Sequence, residues 1–258
     1  MKKLILFATC LFMLGGNTLF AQNKHFTTNG TIEFEKSVNM YAVFQKIIDK
    51  DNEAWLQPAF DSYKKNQPQF RKLKSTLAFG NNKTLFTPIE PENVSNTFFL
   101  DNPMVGQNNV VQTDLNTNTS INQKKVFESV FLVKDSVRKI DWKITTETRE
   151  IAGFTCRRAN ALILDSIYVV AFYTDDIPVS GGPESFAGLP GMILGLAIPH
   201  ENVTWFATKV NEIVVDDKSL TAPKKGKQVN RKELSATLTG VMKDWGNQSN
   251  SYLKAFVL

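Results

Sequence analysis

Hydrophobic and polar positions change period several times along the chain. Thr31–Val38 sets Ile32 and Phe34 against Glu33 and Glu35, the alternation of a half-buried strand. Val43–Tyr63 shifts to helical spacing, with Phe44, Ile47, Ile48, Trp55, Leu56, Ala59, Phe60 and Tyr63 recurring on one face. Gln57-Pro58 is the expected break or kink, because proline lacks the donor a helix interior needs. Ser75–Phe79 and Thr84–Thr87 flank Gly80-Asn81-Asn82 and read as a hairpin. Pro88–Gly106 reads as a surface excursion, and the polar Asn108–Asn122 as an edge strand with a loose loop.

From Gln123 the strand pattern is most regular. It predicts strands over Val126–Val133, Val137–Thr146, Gly153–Leu164, Ile167–Thr174, Met192–Ile198 and Val203–Val215. Short connections, including an Arg149-Glu150 corner and a tight Asp165-Ser166 turn, make neighbours antiparallel. Ala222–Lys227 is a basic turn, in which Gly226 is expected to tolerate a side chain. Asn230, with Glu233 three residues on, starts a helix whose apolar face carries Leu234, Leu238, Val241, Met242 and Trp245. Gly246 ends it, and Ser249–Leu258 remains as a tail. The predicted fold is mainly β (α+β). It is a curved antiparallel β-meander or half-barrel, with an N-terminal helical excursion and a C-terminal packing helix.

One stretch departs from all these patterns. Ile177–Ile198 reads IPVSGGPESFAGLPGMILGLAI, interleaving glycines and prolines with Phe186, Leu189, Met192, Ile193, Leu194 and Leu196. A solvated linker has no use for those apolar residues, so the stretch should be a tight path pinned on a core. Gly191 is expected to take the positive φ that completes a turn after Pro190, and Gly188 to lie where backbone meets sheet. Pro183, Phe186, Gly188, Leu189, Pro190, Gly191 and Met192 are the candidate residues of a structural or interaction loop.

The start of the chain changes the compartment. Lys2 and Lys3 precede the apolar Leu4–Leu14, and Ala21 offers a cleavage point, so residues 1–21 read as an export signal and 22–258 as one domain. The expected location is the periplasm, or an association with the outer membrane. No later run is long and apolar enough for a membrane helix. Losing Lys2 and Lys3 takes the formal charge from +5 to +3, spread without a basic stripe, which argues against nucleic-acid binding. Cys156 is then the one cysteine, so no intramolecular disulfide and no cysteine-rich zinc site can form; it is expected to be shielded.

Little catalytic chemistry stands out. No nucleophile elbow or phosphate loop is present, so no catalytic residue, metal ligand or cofactor is assigned. A hydrolase or metal-dependent enzyme would have to draw on His200 with Asp175, Asp176 or Glu184.

Gly188-Leu189-Pro190-Gly191-Met192-Ile193 resembles the signature of the GLPGLI family of exported Bacteroidetes proteins, with Met192 in place of leucine. The resemblance extends to Ile140–Ile144, Ile151–Ala159 and Phe172–Pro178, followed by Gly182-Pro183. It implies an exported β-rich protein without established catalytic residues, and association with TonB-dependent outer-membrane transport. The leading expectation is a non-catalytic periplasmic binding or accessory protein. Its partner would be a small apolar or peptide ligand, or an outer-membrane transporter. A long apolar groove would favour a ligand, and an open sheet edge a protein partner.

Overall fold

Alternating patterns along the chain are gathered into one curled sheet of twelve strands, ordered β12-β6-β5-β4-β3-β2-β1-β11-β10-β9-β8-β7. The computed structural model describes residues 25–90, 103–106, 109–246 and 248–258. The expected export signal, and residues 91–102 of the expected surface excursion, lie outside them. The strands are β1 (Gly30–Asn39), β2 (Phe70–Gly80), β3 (Lys83–Ile89), β4 (Asn109–Asp114), β5 (Thr119–Val126) and β6 (Ser129–Ser136). They continue as β7 (Lys143–Ile151), β8 (Phe154–Ile163), β9 (Ile167–Thr174), β10 (Met192–Ile198), β11 (Val203–Asn211) and β12 (Lys227–Val229). All neighbours are antiparallel except β12, which runs parallel to β6. No helix among the described residues is long and apolar enough to cross a membrane.

β1 is the hinge of the topology. It lies between β2 and β11, joining the run β2–β6 to the run β7–β11. Its inward residues Ile32, Phe34, Lys36 and Val38 are all buried, so a lysine stands in an otherwise apolar column. The β2–β3 hairpin turns at Asn81 and Asn82, both with positive φ, as a tight two-residue turn requires. Leu164 and Asp165 do the same between β8 and β9.

Several boundaries differ from the pattern-based expectation. The described part of Asn108–Asn122, residues 109–122, forms no edge: β4 and β5 are interior strands, and Gln112, Thr113 and Asn122 are buried. Of the Pro88–Gly106 excursion, Met104 and Val105 belong to the core. The expected strand Val126–Val133 straddles a turn, because Phe127 adopts φ 51° and folds the chain from β5 into β6. The next corner lies at Ala152-Gly153, where φ is 51° and 84°, so β7 runs through Arg149-Glu150 to Ile151.

Helices α1 (Met40–Ile47) and α2 (Glu53–Asn66) form the excursion between β1 and β2. They are separated at Ile48–Asn52, not at Pro58, which α2 carries inside it. Reciprocal side-chain bonds decide this: Asp49 N–H donates to Asn52 Oδ1 (2.9 Å), and Asn52 N–H donates to Asp49 Oδ1 (3.1 Å). Phe44 and Phe60 stack at 5.0 Å, whereas Trp55 turns outward to solvent. Helix α3 (Arg231–Val241) opens with the expected Asn230–Glu233 capping box. It buries Leu234, Leu238 and Met242, while Val241 and Trp245 stay exposed. The expected tail is a second helix, α4 (Gln248–Val257), whose Phe256 joins α3 over β5, β6 and β12.

Candidate functional site

The Gly/Pro stretch is a strap laid across the inside of the sheet. It leaves β9 at Asp175, reaches the far strands, and returns to enter β10 at Met192. Gly181 marks the crossing. Its carbonyl accepts from Ile193 N–H of β10 (2.8 Å), while a Cβ built on it would stand 2.8 Å from Thr84 Cγ2 of β3. In the sheet order β3 and β10 are four steps apart. A flat sheet would separate them by about 19 Å, so the sheet curls until both grip one glycine.

Most candidate residues of the stretch are core. Pro183, Phe186, Leu189, Gly191 and Met192 are buried, as are Ile177 and Val179, whereas Gly188 and Pro190 are exposed. Trp142 Nε1–H donates to Ala187 O (3.0 Å), and Gly188 N–H donates to Ser180 Oγ (2.8 Å). The two glycines of the hexapeptide exchange their expected parts. Gly188 has φ 98° and only ordinary contacts with Trp142. Gly191 is where backbones meet: its Cβ would lie 2.0 Å from Thr174 O and 3.0 Å from Asp175 Cα. Gly226 also departs from expectation. With φ 129° and a Cβ position 2.8 Å from the Phe131 carbonyl carbon, it packs on β6 as β12 begins.

Beneath the strap are two buried lysines that sequence reasoning missed. Lys36 Nζ donates to Gly106 O and lies 4.8 Å above the Trp205 ring. Lys124 Nζ donates to Phe256 O (2.6 Å), fastening α4 to β5. Burial pushes both ammonium groups down to about 8, partly opposed by the Glu184 carboxylate on the strap. Glu184 itself accepts from Asn109 Nδ2 (2.7 Å). A signal was available: Lys36 continues the Ile32-Phe34 face, and Lys124 the face that ends in Val126.

The strap also meets the end of α4. Ser185 Oγ–H donates to Leu258 O (2.8 Å), and Arg138 Nη2 donates to Val257 O and more distantly to Leu258 O (3.4 Å). Beside them Arg231 holds Asp135 in an ion pair at 3.1 Å. That side-chain bond, with backbone N–H donors from Arg231 and Ser136, keeps the Asp135 carboxyl down at about 2. A pocket of about 30 Å³ remains between these groups.

The residues named for the enzyme alternative lie apart, with His200 at one end of β10 and Asp175 and Asp176 at the other. β10 pairs Met192 with Thr174 at one end and Ile198 with Val203 at the other. Asp175 and Asp176 follow the first end and His200 the second, so a seven-residue strand, roughly 20 Å, separates them. The His200 carbonyl instead accepts from Lys46 Nζ (3.2 Å), which also pairs with Glu201. His25 bonds Glu212 on the surface. Among the described residues no group of three or more His, Cys, Asp or Glu side chains could hold a metal ion.

Cys156 is buried, its Sγ–H directed to Phe154 O (3.5 Å). Burial first, then the nearby Glu150 and Asp176, pushes the thiol up to about 12. At the rim, β7 ends the sheet order and pairs only with β8; seven of its nine residues are exposed. Its register breaks between Ile144 and Thr148.

The region that carries the strap also carries the family likeness. The family described as a protein of unknown function (Porph_ging) matches residues 162–195. It is a Bacteroidetes-associated domain, and the match runs from the end of β8 through β9 and the whole strap into β10. Among solved structures, PNGF-II in a C2 crystal form is similar at TM-score 0.51 and 17% identity, covering 81% of this chain and 32% of that one. The same protein in a P21 form gives 0.50 and 19%, covering 81% and 33%. The likeness is one of fold, and this chain spans about a third of the length of PNGF-II. No curated protein matches the chain in sequence.

Proposed function

We propose that the chain is an exported, non-catalytic accessory protein of the cell envelope, of the GLPGLI kind, that works by binding a protein partner. The observation that carries this reading is the contrast between the sheet's inside and its rim. The inside is filled by the chain's own strap, with Phe186, Leu189 and Met192 where a carried apolar ligand would lie. The rim offers β7, a long edge whose outward side has no partner strand in the sheet order. An extended segment of a partner can add to such an edge by main-chain hydrogen bonds. The charges of Lys143, Glu147, Arg149 and Glu150 discourage indiscriminate pairing along this edge. By the family resemblance, the partner is a TonB-dependent outer-membrane transporter.

Thr146→Pro tests the reading. Thr146 lies in the register break and has no pairing partner on β8, so a proline there changes the edge backbone without breaking a ladder pair. Affinity capture from the native envelope should recover an outer-membrane protein with the wild type. Thr146→Pro should lose it at an unchanged melting temperature. Equal capture by both, or recovery of a small apolar molecule without a protein, would overturn the proposal.

A further inference from the structure

We propose that Lys124 and Asn109 join as a side-chain amide, a covalent staple between β4 and β5 whose formation Glu184 assists. Asn109 and Lys124 stand directly opposite each other in the β4–β5 ladder. Both side chains turn to the inside of the sheet, Asn109 toward the strap and Lys124 toward α4. Residues paired in this way hold their Cβ atoms about 5 Å apart, a gap that a lysine stem spans. Lys124 is 4% exposed, so water competes little for its amine. Glu184 completes the arrangement from the strap. Its carboxylate accepts from Asn109 Nδ2 (2.7 Å) and acts by its charge on the Lys124 ammonium. The strap holds Glu184 at φ 55°, a value uncommon for any residue but glycine, and such conformations gather at functional positions.

Each group is in the state the chemistry needs. Burial draws the Lys124 ammonium down to about 8, so part of the amine is neutral near neutral pH, and the neutral amine is the nucleophile. The structure holds the residues before reaction, with Nζ turned to Phe256 O (2.6 Å). When Nζ swings from that carbonyl, its lone pair attacks Asn109 Cγ. The Nζ–Cγ bond forms and the Cγ–Nδ2 bond breaks. The proton that Nζ sheds passes through the Glu184 carboxylate to Nδ2, the atom this carboxylate already touches. Nδ2 leaves as ammonia and Glu184 is regenerated. One amine and one carboxamide become one secondary amide and one ammonia, and no further reactant is needed. The reaction also takes an ionisable amine out of the interior, where a charge is costly to keep. A joined Lys124 no longer titrates, so its share of any pH-dependent stability belongs to the unlinked chain.

Mass spectrometry of the full chain tests this. Protein kept folded at mildly alkaline pH should lose the mass of one ammonia per chain, and protein kept in urea should not. The loss should map to the tryptic peptide that carries both residues. Trypsin should no longer cut after Lys124, and the closed ring should release no backbone fragment from residues 110–123. Lys124→Arg and Asn109→Ala should abolish the loss. Glu184→Gln should slow it by about 100-fold or more. Lys125→Arg, the exposed neighbour, should leave it intact. Full mass in the folded wild type, with trypsin cutting after Lys124, would overturn the proposal. So would an ammonia loss that persists in Lys124→Arg, which marks cyclisation of an asparagine or glutamine instead. Unslowed joining in Glu184→Gln would overturn the part given to Glu184. The wild-type peptide spectrum keeps the test decisive if a variant fails to fold.

Discussion

Gly191→Ala should be among the costliest single-methyl additions in this protein, although glycine-to-alanine changes are often mild. The added Cβ would lie 2.0 Å from Thr174 O, 2.8 Å from Thr174 C and 3.0 Å from Asp175 Cα. All three are backbone atoms, so no rotamer change relieves the clash, and the strap must lift from the end of β9. Overpacking of this kind costs about 1–3 kcal/mol. Lifting the strap also loosens the bond from Met192 N–H to Ile177 O (3.0 Å), which adds about 1 kcal/mol. A total of about 2–4 kcal/mol follows, or roughly 5–15 °C in Tm for a chain of this size. Gly188→Ala meets no such wall and bears only the strain of a positive φ, about 1 kcal/mol. Gly240→Ala is the internal control. It lies in α3 with nothing within 4 Å of its Cβ position, and should stabilise by about 0.5–1 kcal/mol. Urea melts of the three variants give the order directly. If Gly191→Ala stays within about 0.5 kcal/mol of wild type, the strap is not fixed as described and the reasoning fails.

Three further outcomes follow from burial and capping. Cys156, buried and with its thiol pushed up to about 12, should resist a bulky maleimide in the native state and react fully in denaturant; rapid native labelling would contradict this. Lys36 and Lys124 titrate near 8 when folded and near 10.5 when unfolded, so between those values the unfolded chain holds more protons and stability rises with pH. From pH 8 to 9 the two together should add about 2 kcal/mol, read from urea midpoints, and Lys124→Met should remove about half of that rise. Asn230→Ala deletes the acceptor for Glu233 N–H (2.9 Å) and should cost about 1 kcal/mol in the same assay.

The amphipathic parts of this fold were legible before any coordinates. β9, β10 and the α3 cap follow the pattern because each depends on a local rule: alternation, or an Asn-x-x-Glu start. The misplaced strand turns share one cause. Phe127, Ala152 and Leu164 take positive φ without being glycine, so composition did not mark Phe127 or Ala152 as turns. β4 and β5 looked like an exposed edge because polar residues were equated with solvent, whereas Gln112, Asn122 and Lys124 are buried inside a curled sheet, with Lys124 Nζ donating to Phe256 O. The strap was recognisable as a pinned path from its mixture of Gly, Pro and large apolar residues. Which glycine took the positive φ was not recognisable, because Gly191 answers to Thr174, seventeen positions away in sequence. Glu184 likewise appeared to belong with Asp175 and Asp176, and only the crossing of the strap carries it to Asn109 and the buried lysines.

The strap fills the inside of the sheet, and on the proposed reading function lies with a protein partner. Native mass spectrometry of the protein released intact from its own envelope tests this most directly. The expected spectrum shows the polypeptide mass, alone and in complex with an outer-membrane protein, with no stoichiometric apolar adduct. One small apolar molecule per chain, retained through purification and released only on unfolding, would contradict it.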